Sequence, residues 1–403
     1  MPATSIPRRT RVTFAEALDP KNNAFGFFRL VLAVLVIFSH SFPLGGFGVD
    51  ALETFTKGRH TIGLVAVAMF FVLSGFLITR SAAGRISVGR FLWHRFLRIF
   101  PGYWVCLIVC ACVFAPYFAY VEHGTLAHLL SVPRTSAQSF VFHNAGLFHL
   151  NGFSVLGIFN VHPQSIAGLL SRNPVPFQIN GSLWTLPLEV ACYLGIAILT
   201  SCSVLRRGRV GVLILFAFFW ALYIYSYLWP VSFRSSFPFR YIDIVIPLCV
   251  FFLAGSVCFL FREKIRCSVW IFVACIGAVG ASFPLGLYSV LAPICTSYAF
   301  LWLAFNLPFS RFDAKGDYSY GTYIYAFPVQ QALSLSGVQE DGWAVYFAWS
   351  LVLTGILAFL SYRLVEAPCL RWKHLRVALP WRRNQSATRS DEMRPAPVAA
   401  SAV

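Results

Sequence analysis

Residues 25–43, FGFFRLVLAVLVIFSHSFP, form an apolar run long enough to cross a bilayer as one helix. Lipid offers the backbone no hydrogen-bond partners, so a run of this kind must satisfy its own N–H and C=O groups, and a helix does so within a single segment. Similar runs recur along most of the chain. They are unbroken rather than alternating, which argues against a β-barrel. Hydrophobic residues make up 58% of the 403 and charged residues only 12%, with a mean hydropathy of +0.69. A soluble protein of this length does not show that balance. The expected fold is all-α: a polytopic membrane protein of about ten transmembrane helices.

The spans are expected at about 24–43, 61–79, 99–119, 183–203, 211–229, 241–261, 268–285, 287–306, 318–336 and 343–362. Residues 1–22 read as a cytoplasmic N-terminal tail, 23–370 as the transmembrane domain, and 371–403 as a cytoplasmic C-terminal tail, disordered at its end. The first apolar run is too long for the core of a cleavable signal peptide. A formal charge of +17 would suit a nucleic-acid binder, but the basic residues lie between the apolar runs, where the positive-inside rule puts them. On this topology 25 of the 32 Lys and Arg are inside, six are outside and Arg29 lies within the first span. Residues 120–181 stay outside on this reading, dipping into the interface or re-entering. A crossing at 141–159 would put the basic Arg206–Arg209 loop on the wrong side.

The first span carries two ionisable groups. Arg29 and His40 are eleven residues apart, about 16 Å along a helix and on nearby faces, so both are expected to look into one cavity. A charged group at mid-bilayer costs roughly 2.5–3.5 kcal/mol on insertion scales and marks a functional site by default. The plain alternative is a snorkelling Arg29 and an interfacial His40 without chemistry. Arg95 and Arg98, one turn apart at the inner mouth of the third span, would be neighbours on a helix surface. With Arg29 they suit a phosphorylated ligand, because guanidinium matches phosphate oxygens bidentately. Glu189 lies about two turns into an apolar span, just after Pro187, which should kink the helix. A carboxylate there needs a partner: a histidine to orient, a sugar hydroxyl or an arginine. Asp243 and Glu366 read as structural. The eleven cysteines lie mostly in apolar runs and read as free thiols. No metal-ligand spacing, P-loop, HExxH or GxSxG elbow is present.

Six segments in order resemble acyltransferase family 3, the membrane O-acyltransferases that decorate bacterial surface polysaccharides, nodulation factors and macrolides. FRLVLAVLVIFSH is similar to that family's Arg-x10-His pattern, at Arg29 and His40. FFVLSGFLI, HRFLRIFPGYW, GSLWTLPLEVACYL, DYSYGTYIYAFPVQQ and YRLVEAPCLRW resemble its later segments. The resemblance implies transfer of an acyl group, usually acetyl, from a cytoplasmic acyl-CoA to a hydroxyl of an extracytoplasmic saccharide or lipid-linked saccharide. It implies acetyl-CoA as co-substrate, no metal, and a bacterial inner membrane with both termini cytoplasmic. Arg95 and Arg98 would then hold the CoA headgroup, with Arg29 beside its arm. His40 would be general base or nucleophile, with Glu189 as the second catalytic residue at the acceptor end and Trp184 and Ser182 binding the acceptor. Many members carry a histidine where Ala326 stands, so His40 bears more of the weight here. The competing reading is a transporter or flippase of a lipid-linked saccharide, although the internal repeats expected of many transporters are not visible.

Overall fold

A computed structural model describes residues 13–19, 22–84, 86–126, 137–147, 169–176, 178–207, 209–228, 242–310, 312 and 316–375. Among these no strand occurs, and helices lie on the predicted apolar runs. They are α1 (Phe25–Leu44), α2 (Ile62–Ala83), α3 (Val88–Val109), α4 (Thr185–Ser201), α5 (Arg209–Leu228), α6 (Ile242–Leu260), α7 (Val269–Ser282), α8 (Tyr288–Asn306), α9 (Ser319–Leu335) and α10 (Trp343–Ser361). A π-helical turn, Cys110–Phe114, carries α3 on to His123, and another, Tyr362–Glu366, carries α10 on to Arg371. Seven stretches, those of α1 to α5, α8 and α10, are long and apolar enough to cross a membrane. Helices α6 and α7 are shorter apolar helices, and α9 has 17 residues. The fold is therefore an all-helical membrane fold with seven such stretches, and a count of ten crossings is the sequence pattern's alone.

Two local expectations change. Helix α3 starts at Val88 rather than near residue 99, because Ser87 caps it by accepting the Arg90 N–H at 3.4 Å and an aromatic ladder, Trp93–Phe96–Phe100, covers its first turns. Arg90, Arg95 and Arg98 thus all stand on this one helix. Pro187 does not kink α4. It is the third residue of that helix, in the turn whose N–H groups have no helical partner to lose.

The segments predicted to be inside gather at one end of the bundle. The Phe14 N–H donates to the Ile265 carbonyl at 2.9 Å, and Phe14 stacks on Tyr298, so the chain is packed on the bundle from Thr13 onward. Arg98, Asp317 and Glu366 meet at the same end. Arg59, His60, Tyr227, Phe283 and Tyr288 meet at the other. Most of residues 120–181 lie outside the described set, but the described parts re-enter the bundle. Tyr103 Oη and Trp104 Nε1 of α3 donate to the carbonyls of Asn144 and Ala145 at 2.7 and 2.9 Å. Residues 170–172 are gathered on the Glu122 carboxylate. Asn180 then reaches the Ile324 carbonyl of α9 at 2.8 Å, so α4 begins inside the bundle.

Helix α2 is the centre of the packing and lies most extensively against α6. Their crossing depends on two glycines facing each other's backbone. A Cβ on Gly75 would stand 1.9 Å from the Phe252 carbonyl oxygen, and one on Gly255 2.0 Å from that of Val72. Small residues permit such close approach between membrane helices. Gly75→Ala and Gly255→Ala are each expected to cost more than about 3 kcal/mol, seen as a collapse of the monodisperse peak in fluorescence size-exclusion after mild heating. A normal melting profile for both would refute the crossing.

Candidate active site

The end of the bundle that carries Arg98 opens into a cavity between α1, α2, α3, α4 and α9. Counting its open mouth, it holds about 860 Å³. Arg29, Arg95, Arg98 and Glu189 all line it, so four of the residues singled out from sequence come together although 160 positions separate the first from the last. Its far end is closed by Phe70, Thr185 and Tyr323, where the Thr185 and Tyr323 hydroxyls are hydrogen-bonded at 2.7 Å.

One wall is an ion-pair network. Asp317 Oδ2 accepts from Arg29 Nη1 at 3.0 Å and from Arg98 Nη2 at 2.5 Å. Glu366 stands 3.8 Å from Arg98 Nη1, an ion-pair distance but not a hydrogen bond, and accepts the Ser361 hydroxyl at 3.1 Å. The π-helical turn at the end of α10 contains this glutamate, and such turns recur at functional positions. Asp317 is delivered by a turn at Gly316, whose φ of +123° and contact with the Tyr362 ring leave no room for a side chain. Burial alone would raise the Asp317 carboxyl. Arg98, Arg29 and Ser319 outweigh it and hold the group well below the ordinary carboxylate range.

The facing wall holds Arg95. Its guanidinium lies over the Tyr193 ring, 5.9 Å from the centroid, and its Nε is buried without a hydrogen-bond partner among the described residues. The Tyr193 hydroxyl donates to Glu189, and Ser74 Oγ reaches the same carboxylate oxygen at 3.5 Å. Three arginines therefore meet three carboxylates, and the expectation of three equally available cations narrows. Arg29 and Arg98 share Asp317, while Arg95 has no carboxylate within ion-pair distance among the described residues.

His40 is not in this cavity's lining, so the shared-cavity expectation for Arg29 and His40 is corrected. The reason lies in the depth that separates them along α1. His40 packs edge-on against Phe327 at 5.6 Å, one turn along α9 from Tyr323 at the cavity's closed end. Its Nδ1 is buried with no hydrogen-bond partner among the described residues. Ser39 beside it donates to the buried Asp50 at 2.6 Å, which also accepts the Ile62 N–H that opens α2. Ser182 and Trp184 lie on the 3₁₀ turn before α4, outside this lining. Ser182 Oγ is buried and unpartnered, and Trp184 faces a second cavity. The side chain of Asp243 falls outside the described residues. No cluster of three or more metal-ligating side chains occurs among the described residues.

Asp317 was missed from sequence. Its signal was available, since three arginines at one mouth require counter-charges and this acid stands just before an apolar run at the same end. Asp317→Asn is expected to lower stability by about 2 kcal/mol by releasing both arginines. Because the folded carboxyl is depressed, its contribution is complete above the ordinary carboxylate range and fades only as the pH falls through the lower, folded value. The difference in melting temperature between wild type and Asp317→Asn should accordingly stay constant from pH 8 to pH 5. A difference that vanishes in that window would contradict the network.

Residues 22–363 match the family described as Acyltransferase domain. A protein named O-acetyl transferase from Shigella phage Sf6 is 29% identical over 356 residues, 86% of this chain and 95% of its own. Nodulation protein 10 from Rhizobium leguminosarum bv. viciae is 25% identical over 391 residues, 90% of this chain and 96% of its own. No solved structure matches the chain significantly.

Proposed function

We propose that this protein, which belongs to the acyltransferase domain family and is a membrane O-acetyltransferase, takes its acetyl group from cytoplasmic acetyl-CoA. It passes that group to a hydroxyl of a saccharide or lipid-linked saccharide on the opposite side of a bacterial inner membrane, with both termini cytoplasmic. The observation that carries this reading is the cavity's course. It opens among Arg29, Arg95 and Arg98 and closes at Thr185 and Tyr323, one helical turn before Phe327, which packs against His40, whose Nδ1 is buried without a partner among the described residues.

Each part of the donor then meets a group suited to it. The phosphates of the headgroup stay at the mouth, where Arg95 offers an unneutralised guanidinium and Arg29 and Arg98 offer the donors that Asp317 leaves unused. Asp317 and Glu366 are positioning residues that hold Arg29 and Arg98 in place. The uncharged pantetheine arm follows the apolar wall of α2, which includes Phe70, Phe71 and Leu77. The thioester comes to the closed end. There His40 removes the proton of the acceptor hydroxyl as it attacks the acetyl carbonyl, and CoA leaves as the thiolate. The alternative order, transient acetylation of His40 followed by transfer, uses the same atoms. Reaching His40 requires the Tyr323–Phe327 side of α9 to yield when the donor binds. Glu189, held by Tyr193 and Ser74, and Ser182 complete the polar groups around the path.

The test uses purified protein in detergent with radiolabelled acetyl-CoA and a lipid extract of the source cell's envelope. His40→Ala, shown to be monodisperse and thermally stable, is expected to lose at least ~100-fold in acceptor-dependent CoA release, the usual worth of positioned acid–base help. Wild-type rates in that variant would sink the assignment. Arg95→Gln should raise the KM for acetyl-CoA about 10- to 100-fold, the worth of a charge-assisted hydrogen bond, with the acceptor KM unchanged. An unaltered KM would remove Arg95 from the donor site.

A further inference from the structure

The opposite end of the bundle holds a second cavity, about 1250 Å³ with its mouth included. Helix α5 contributes Tyr223 and Tyr227, the start of α8 contributes Tyr288, the turn before α4 contributes Trp184, and the loop before α2 contributes Arg59 and His60. With Phe251 of α6, five aromatic rings and one cation surround this space. Arg59 Nη1 donates to the Tyr227 hydroxyl at 3.0 Å, and no carboxylate lies within ion-pair reach of Arg59 among the described residues. His60 lies against Tyr288, with ring centroids 4.2 Å apart, and its Nε2 is buried without a hydrogen-bond partner. Burial, with Arg59 beside it, pushes the imidazole down to about 4. The ring is therefore neutral at physiological pH, able to accept a hydrogen bond through one nitrogen and donate through the other.

The two cavities lie back to back. Val67 lines the first and Ala68 the second; Thr185 lines the first and Trp184 the second. Consecutive residues of two elements thus face consecutive chambers. His40 belongs to the same level: its neighbour Ser39 packs against Gly63, where an added Cβ would lie 3.0 Å from the serine hydroxyl, and the next residue, Leu64, lines the second cavity.

We propose that this second cavity seats the acceptor as a hydroxyl-rich ring of the pyranose kind, with Trp184, Tyr223 and Tyr288 as flat platforms and Arg59, His60 and Tyr227 as its hydrogen-bonding rim. Aromatic faces take the C–H side of such a ring while their polar tips and the rim take its hydroxyls. The acetyl-transfer reading supplies the word acceptor; the fit to a polyol is independent of it. Bound there, a ring hydroxyl lies across the α2–α4 seam from the donor chamber and next to the level of His40.

The experiment separates the two readings. Tyr227→p-benzoylphenylalanine is placed in the full chain, membranes of the source cell are irradiated, and the purified adduct is analysed by mass spectrometry for sugar fragments; Tyr193→p-benzoylphenylalanine, in the first cavity, is the control. A carbohydrate-bearing adduct at residue 227 and none at residue 193 is expected. No adduct, an acyl-chain adduct without sugar, or equal sugar adducts at both positions would overturn the proposal. The cross-link needs no turnover, so a sugar adduct in a protein that fails to move acetyl groups would sink the donor reading and leave the cavity assigned. In the transfer assay, His60→Gln and Arg59→Gln are each expected to raise the KM for the envelope acceptor at least tenfold with the KM for acetyl-CoA unchanged. An unchanged acceptor KM in both would also overturn it.

Discussion

A single carboxylate, Asp317, sets the geometry of the donor-facing end. It joins Arg29 of α1 to Arg98 of α3, two helices that the chain separates by nearly 70 residues. Charges at a membrane boundary are costly unless paired or solvated, so neither arginine is free to adopt the other's position or to swing into lipid. Glu366 steadies Arg98 from the end of α10. The consequence is a mouth whose positive groups have fixed directions. Arg95, its one cation without a carboxylate among the described residues, rests on an aromatic ring that is itself tied to Glu189. On the proposed reading a ligand phosphate enters a site that is already ordered, which lowers the entropic cost of binding it.

Helix α9 makes the rest possible, and it buries polar side chains along its length. Ser319, Thr322, Gln330, Gln331 and Ser334 are all buried along it. Their bonds run inward: Gln330 donates to the Ile37 carbonyl of α1 at 2.9 Å, Gln331 donates to the Val175 and Gln178 carbonyls, and Tyr323 meets Thr185 of α4. A helix surrounded by protein need not be apolar all round, because its polar groups find partners that lipid cannot give. It can therefore carry the floor of one chamber and the ring against His40 on successive turns.

This explains what the sequence revealed and what it withheld. The helical bundle was legible because bilayer chemistry imposes long apolar runs, and the grouping of Arg29, Arg95 and Arg98 was legible because ionisable groups rarely occur in such runs without purpose; Glu189, expected at the acceptor end, lines the same cavity as the arginines instead. Asp317 was not, since an acid beside a span reads as ordinary interface until three arginines are seen to need it. The start of α3 was misplaced because its first turns are amphipathic, with Arg90 and Arg95 masking a helix that Ser87 already caps. The kink assigned to Pro187 failed because the sequence did not show that α4 starts inside the bundle. The separation of His40 from the donor chamber depends on the placement of Phe327 and Tyr323, a packing detail with no one-dimensional signature. Ser182 and Trp184, two positions apart in the same short turn, face different surroundings for the same reason.

The arrangement of two chambers on one seam suits a reaction whose partners differ in where they can go. A CoA headgroup carries several negative charges, and moving it through hydrocarbon would cost far more than one transfer step could return. Its arm and thioester are uncharged and can enter an apolar channel while the phosphates stay at the arginines. A saccharide has the opposite difficulty: its hydroxyls need partners, so it cannot follow the apolar wall of α2 but can rest among Tyr227, His60 and Arg59. On the proposed reading only a two-carbon group crosses the seam, and neither polar partner leaves its own end. The partition at Val67–Ala68 and Trp184–Thr185, with His40 nearby and its Nδ1 without a partner among the described residues, is where that group would cross.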